Sequence, residues 1–216
     1  MIPAREALQR LRDGNRRFSA SVQGSDVFLH TRRPELQMEQ SPHAIILGCS
    51  DARVPAEIIF DQGLGDLFVI RVAGNIVASS LVGSVEFAAE RFRTRLVVVV
   101  GHTQCGAIAA TLEYLRNPDS GGSRNLLSIV DRVRPSVEGL LATNLRNDLD
   151  ALAAQAVRAN IRASVDHLRH GSPLLEQLIH DEGLLVVGAE YSLETGVVDF
   201  FDGAAEVYET ANSAAR

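Results

Sequence analysis

The sequence is short of several features, and each shortage removes a class of protein. Its longest hydrophobic stretch, Leu96 to Val100, is far too short to cross a bilayer. The opening Met1-Ile2-Pro3-Ala4-Arg5-Glu6 has no long apolar run and is not a signal peptide, so a cytoplasmic protein with no membrane partner is expected. Only two cysteines occur among 216 residues, so a disulfide is not expected in a reducing compartment, where one bridge would add little to a chain with an adequate core, and no C-x-x-C exists to support thiol redox chemistry. Positive charge is not in excess: the formal net charge is -6, which argues against a nucleic-acid surface. Arg91, Arg93 and Arg95 do cluster, and read as a solvated helix end. No G-x-G-x-x-G follows a predicted strand, which argues against a dinucleotide enzyme. Gly101 and Gly106 stand at phosphate-loop spacing, but Ala107 occupies the position that requires Lys.

What remains is an ordinary globular composition, 46% hydrophobic and 22% charged, long enough for one substantial core. Three β-rich runs stand out early: Ala44 to Gly48, Leu67 to Val72 and Leu96 to Gly101. They are continuous β-rich runs rather than alternating ones, apolar throughout but for Arg71, the pattern of strands buried on both faces, and helical sequence such as Ser80 to Arg91 lies between them. A fourth run, Leu184 to Ala189, precedes Thr195-Gly196 and Val197 to Phe201, which reads as an antiparallel edge hairpin. The fold class is therefore α/β: a mainly parallel central sheet flanked by helices, in a single domain over 1–216. Helices are expected from Cys105 to about Leu115, and from the Ser120–Ser123 loop to His180 with breaks near Pro135 and Gly171. At the N-terminus, Ala7, Leu8, Leu11 and Phe18 fall at helical spacing among charges. They read as a surface or subunit-clasping helix in an arm of about residues 1–35.

Chemistry concentrates at two strand ends. Cys49 directly follows the first run and His102 the third, and ligands collect at the carboxyl ends of strands in open α/β sheets. Cys105 lies three residues past His102, so one tight turn aims both side chains at the same point. Two thiolates and an imidazole favour Zn2+, and three protein ligands leave the fourth tetrahedral position for water, the pattern of a catalytic zinc. Asp51 and Arg53 follow on the crevice rim. A guanidinium beside a carboxylate keeps it ionised and oriented, ready to accept a hydrogen bond from zinc-bound hydroxide. A buried Cys after a strand is by itself usually a core residue, and H-x-x-C is a common fragment; the combination is what points to chemistry. His167 and His170 share a helix face without a partner and read as solvated, while His30, His43 and His180 are isolated.

Cys49-Ser50-Asp51-Ala52-Arg53-Val54-Pro55-Ala56-Glu57 and Gly101-His102-Thr103-Gln104-Cys105-Gly106-Ala107 resemble the two signature segments of the beta-class carbonic anhydrases. The similarity extends through Arg71-Val72-Ala73-Gly74-Asn75, Ser84-Val85-Glu86-Phe87-Ala88 and Gly14-Asn15-Arg16-Arg17-Phe18. The resemblance implies reversible hydration of CO2 to bicarbonate by zinc hydroxide, one Zn2+ per subunit, and self-association as a dimer or tetramer with the site at the subunit interface. It also assigns Gln40 as a substrate contact reaching in from the partner subunit, Phe68 as a wall of the CO2 pocket, and the Gly106 backbone as a bicarbonate contact. Asp51 matches a residue that in part of the family swings onto the zinc as a fourth ligand. Arg71 and Tyr191 match two members of that group's regulatory bicarbonate site, but Ile46 stands in place of its Trp and the chain contains no Trp at all. Two rival readings remain at this stage: a related zinc hydrolase acting on carbon disulfide or carbonyl sulfide, and a non-catalytic zinc or bicarbonate sensor.

Overall fold

A computed structural model describes residues 2–20, 40–118 and 122–204. His30, the arm beyond Ala20 and Ser120–Gly121 of the glycine/serine loop lie outside the described residues. Five strands form one sheet: β1 (Ala44–Gly48), β2 (Leu67–Arg71), β3 (Leu96–His102), β4 (Leu185–Tyr191) and β5 (Val198–Asp202). Their order is β2-β1-β3-β4-β5, parallel except for β5, which returns antiparallel against β4. The chain runs outward from β1 to β2 and then crosses back to β3. The direction of winding therefore reverses between β1 and β3, where an open sheet forms its ligand crevice. Gly48 pairs with Val100, so the segments leaving β1 and β3 emerge side by side.

All residues of β1 and β3 are buried, as their unbroken apolar runs require. On one face Ile45, Leu47, Val97, Val99 and Val186 meet the helices α3 (Ser79–Arg91), α4 (Gly106–Arg116), α5 (Arg124–Leu141), α6 (Leu149–His170) and α7 (Pro173–Glu182). On the other, Ile46, Val98, Val100 and Val187 meet α1 (Ala4–Ala20) and the short α2 (Ala56–Ile59).

Three sequence expectations change here. The first concerns α1, which is no surface element: Ala7, Leu8 and Leu11 are fully buried against the sheet of their own chain. Most of the charges that made it look peripheral are exposed on its outer side, though Arg12 packs over the Phe200 ring (5.4 Å to the centroid). Asn15 completes the attachment, donating from Nδ2 to the carbonyls of Ile59 (3.0 Å) and Gly196 (2.9 Å) and accepting from the Val198 amide (2.8 Å). Gly14 packs so closely that a Cβ there would lie 1.8 Å from the Phe60 carbonyl oxygen. Because backbone cannot retreat as a flexible side chain does, Gly14→Ala should destabilise the fold by about 4 kcal/mol or more. Thermal denaturation read by circular dichroism checks this.

The second is Pro135, which interrupts nothing and lies within α5. The ring removes the amide that would bond to the Asp131 carbonyl, but both residues are exposed, so the lost bond lies on the solvent side of the helix. The break falls instead at Ala142–Asp148, and the other expected break, at Gly171, is present. The third is Arg95, which is buried rather than solvated. It donates to the Ala89 carbonyl (2.6 Å) at the end of α3 and pairs with Glu182, while Arg91 and Arg93 remain exposed. His170 pairs with Asp166 on the α6 surface (3.0 Å), and His167 is exposed nearby.

Candidate metal centre

The crevice between β1 and β3 brings together the two segments that carry Cys49, His102 and Cys105. Cys49 leaves β1, His102 is the last residue of β3, and Cys105 precedes α4 after a tight loop in which Gln104 takes φ 56°. Their ligand atoms lie within 4.8 Å of one another, all three residues are buried, and the two sulphurs are 4.0 Å apart. Both thiols are free.

The imidazole is oriented from behind. His102 Nδ1 lies 2.9 Å from the Thr103 carbonyl oxygen, which fixes a hydrogen on Nδ1 and leaves the Nε2 lone pair free. Thr103 is itself held, its amide donating to the Tyr191 carbonyl (3.0 Å) and its hydroxyl accepting from the Leu193 amide (3.0 Å). Nε2 is buried without a hydrogen-bond partner. An unpaired buried acceptor costs energy, and this one faces two sulphurs.

The two sulphurs are close enough to influence each other's charge. The Cys105 thiol donating to Cys49 lowers the Cys49 pKa to about 4 against the opposing effect of burial, and raises that of Cys105. Burial opposes charging of His102, but the Cys49 sulphur and the Thr103 carbonyl outweigh it and raise its pKa in net. A cation entering the cluster would displace these protons.

Asp51 and Arg53 form a fork-to-fork pair on the rim. Arg53 Nε donates to Oδ1 (2.9 Å), Nη2 to Oδ2 (2.7 Å), and the Arg53 amide also to Oδ1 (2.9 Å). These bonds hold the Asp51 carboxyl well below the usual carboxylate range. Its Oδ2 stands 3.8 Å from His102 Nε2, beside the three ligands, with both oxygens engaged by Arg53.

The other sequence-derived site residues fall in two groups. Gly106 begins α4 directly after Cys105, with open space around its α-carbon. Gln40 and Phe68 are not brought to the cluster of their own chain. Gln40 is exposed and precedes β1, at the end opposite Cys49. Phe68 pairs with Ile45, four residues before Cys49, roughly 13 Å back along the strand. There it packs with Phe87 (centroids 6.2 Å apart) and Phe92 (5.9 Å), and Phe87 is 53% exposed. Ile46 is buried on the α1 side of the sheet, as is Tyr191, whose pKa burial raises.

Sequence reasoning did not foresee the support beneath the loop. Arg71 Nε donates to the Cys49 carbonyl (3.0 Å) and Nη2 to the Asp51 carbonyl (2.6 Å), which fixes the backbone between ligand and carboxylate. The Gly74 amide lies 3.4 Å from Cys49 Sγ. Gly74-Asn75 is a turn-forming pair, a sequence signal that could have marked a special backbone here.

The fold and the cluster define an α/β protein with a candidate Cys2His metal centre at the switch point of a mainly parallel sheet. The family model described as "Carbonic anhydrase" matches residues 44–198. A carbonic anhydrase of Mycolicibacterium smegmatis is 38% identical over 196 residues, covering 89% of this chain and 91% of that protein. Carbonic anhydrase 2 of Mycobacterium tuberculosis is 37% identical over 190 residues, covering 88% and 89%. Among solved structures, the beta-carbonic anhydrase CafA of Aspergillus fumigatus superposes with a TM-score of 0.71 at 27% identity, covering 84% of this chain and 86% of that one. One from Sordaria macrospora, described as tetrameric, gives 0.68 at 25% identity, covering 78% and 84%. The chain belongs to the beta-carbonic anhydrase family.

Proposed function

We propose that this protein is a zinc-dependent carbonic anhydrase interconverting CO2 and bicarbonate, with Cys49, His102 and Cys105 holding one Zn2+ per subunit. The observation that carries the assignment of the metal is the buried, unpartnered Nε2 of His102 facing two free sulphurs. The donor set fits: two thiolates and one imidazole suit a borderline-soft ion, and three protein ligands are those of a catalytic site. When bound, zinc supplies a Lewis acid that lowers the pKa of a coordinated water to about 7.

The chain's own residues do the rest. Asp51, kept ionised by Arg53, accepts a hydrogen bond from the attacking oxygen and so aims its lone pair at the carbon of CO2. Arg53 keeps that carboxylate turned toward the rim, and Arg71 keeps the loop carrying it in register with Cys49. The Gly106 amide, at the start of α4, is an anion-favouring donor for bicarbonate. Gln40 and Phe68 lie away from the cluster of their own chain, and we assign them to the site of a neighbouring subunit. There Phe68 walls a pocket for an uncharged, linear substrate. The exposed Phe87 beside Phe68 and the tetrameric relative from Sordaria macrospora support association of this kind. We read residues 1–216 as one catalytic domain and place it in the cytoplasm, where a reducing medium suits a site built on two free thiols.

Stopped-flow CO2 hydration by zinc-loaded protein, alongside assays of carbonyl sulfide and carbon disulfide hydrolysis, tests the reading. Zinc content of one per chain with CO2 as the preferred substrate is the expected result. Turnover of the sulphur analogues alone, or none at all, would overturn it. Chelation should also cost stability. At free zinc a thousand times its Kd, linkage contributes about 4 kcal/mol. Stripping the ion should therefore lower Tm by roughly 8–16 °C, at 2–4 °C per kcal/mol for a chain of this size. Differential scanning calorimetry before and after chelation measures it.

A further inference from the structure

Two buried polar side chains on α6 reach across the helical layer to the turn that touches Cys49. Asn160 Nδ2 donates to the Gly74 carbonyl at 2.7 Å, and Ser164 Oγ donates to the Asn75 carbonyl at 3.0 Å. They are four residues apart on one face of the helix and only 2% and 5% exposed. The turn they hold, Ala73–Asn75, is unfavourable by itself. Gly74 (φ 70°) and Asn75 (φ 43°) are both left-handed, and for Asn75 that conformation is sparsely populated. Such a turn persists when its surroundings over-determine it, and here the two α6 side chains fix the carbonyls of its two left-handed residues. The peptide unit just before, joined to the held one through the Gly74 α-carbon, directs the Gly74 amide at Cys49 Sγ, 3.4 Å away. Between the two polar residues, Ile161 abuts Gly101, the residue before His102; a Cβ on Gly101 would lie 2.6 Å from Ile161 Cδ1. One helix therefore backs both of the segments that converge on the centre.

We propose that Asn160 and Ser164 are positioning residues of the metal centre, which raise its metal affinity by holding the Gly74 amide against the Cys49 sulphur. The inference rests on the metal-centre reading above, and it adds a role for α6, whose Asn160 and Ser164 lie more than fifty positions beyond Cys105. Outer groups that hydrogen-bond to a ligand orient it and tune its donor strength, and losing one typically weakens metal binding. The simpler alternative is that both side chains merely satisfy buried carbonyls; that predicts lost stability with unchanged metal binding.

The test therefore measures zinc affinity by competition with a chromophoric chelator, together with the thiolate-to-cobalt charge-transfer band of the cobalt-substituted protein. Asn160→Ala and Ser164→Ala should each weaken zinc binding about tenfold and shift that band, and Ser164→Thr, which keeps the hydroxyl, should restore both. Val165→Ala serves as control: this fully buried α6 residue faces Gly188 of β4, so it should lower Tm and leave zinc affinity unchanged. If Asn160→Ala does not fold, Ser164→Ala and its threonine rescue decide the matter. Wild-type affinity and an unshifted band in the alanine variants would overturn the proposal, as would an equal loss of affinity in Val165→Ala. A wild-type protein that takes up no zinc would instead sink the metal-centre reading, and this inference with it.

Discussion

Cys105→Ala is expected to give a folded protein that contains no zinc and hydrates CO2 at the uncatalysed rate. The structural cost is small. Cys105 precedes α4 without capping it through its side chain, and alanine removes a single buried heavy atom, worth about 1 kcal/mol. The chemical cost is not. Two protein ligands remain of three, and the sulphur 4.0 Å from Cys49 is gone. Enzymes of even modest power exceed the uncatalysed reaction by about 10^6-fold, so the loss should be of at least that order. Metal analysis, circular dichroism and stopped-flow hydration on one preparation separate the three quantities. Retention of one zinc per chain would refute the ligand set.

Asp51→Ala should act differently, with zinc retained and hydration slowed by roughly 10^2–10^4-fold, the range of a positioned proton acceptor. The carboxylate lies 3.8 Å from His102 Nε2, with both oxygens fixed by the Arg53 side chain and one also by the Arg53 amide. It is therefore oriented before any substrate arrives. Removing it leaves the three ligands untouched, so metal content should not change. This variant also separates an enzyme from a metal-bearing sensor, which has no use for an oriented proton acceptor: an unchanged hydration rate would remove Asp51 from the mechanism.

The sheet and its central chemistry were readable in the residues because both depend on local pattern. Unbroken apolar runs mark β1 and β3, which are covered on both sides, whereas the run that forms β2 lies at the sheet edge and is only half buried; Cys49 and His102 stand where the two buried runs stop. The misreadings arose where tertiary contacts override that pattern. Charges on the outer side of α1 concealed how deeply Leu8 and Leu11 are buried. Pro135 normally ends a helix, yet on the solvent side of α5 it costs one water-exposed bond. Arg95 belongs to a run of arginines in sequence but to Ala89 and Glu182 in space. Neither Asn160 nor Ser164 carries any sign in the sequence of its contact with the Gly74-Asn75 turn, because that contact spans more than eighty positions.

The candidate metal ligands lie at the ends of two adjacent parallel strands, with Cys49 and Cys105 56 positions apart. No hairpin or isolated fragment can contain the set, and parallel pairing at such separation closes slowly because chain entropy is lost before contacts are gained. Cobalt absorbance followed during refolding is then a clock for closure of the β1–β3 seam, timing a tertiary event that far-ultraviolet helix signals would miss.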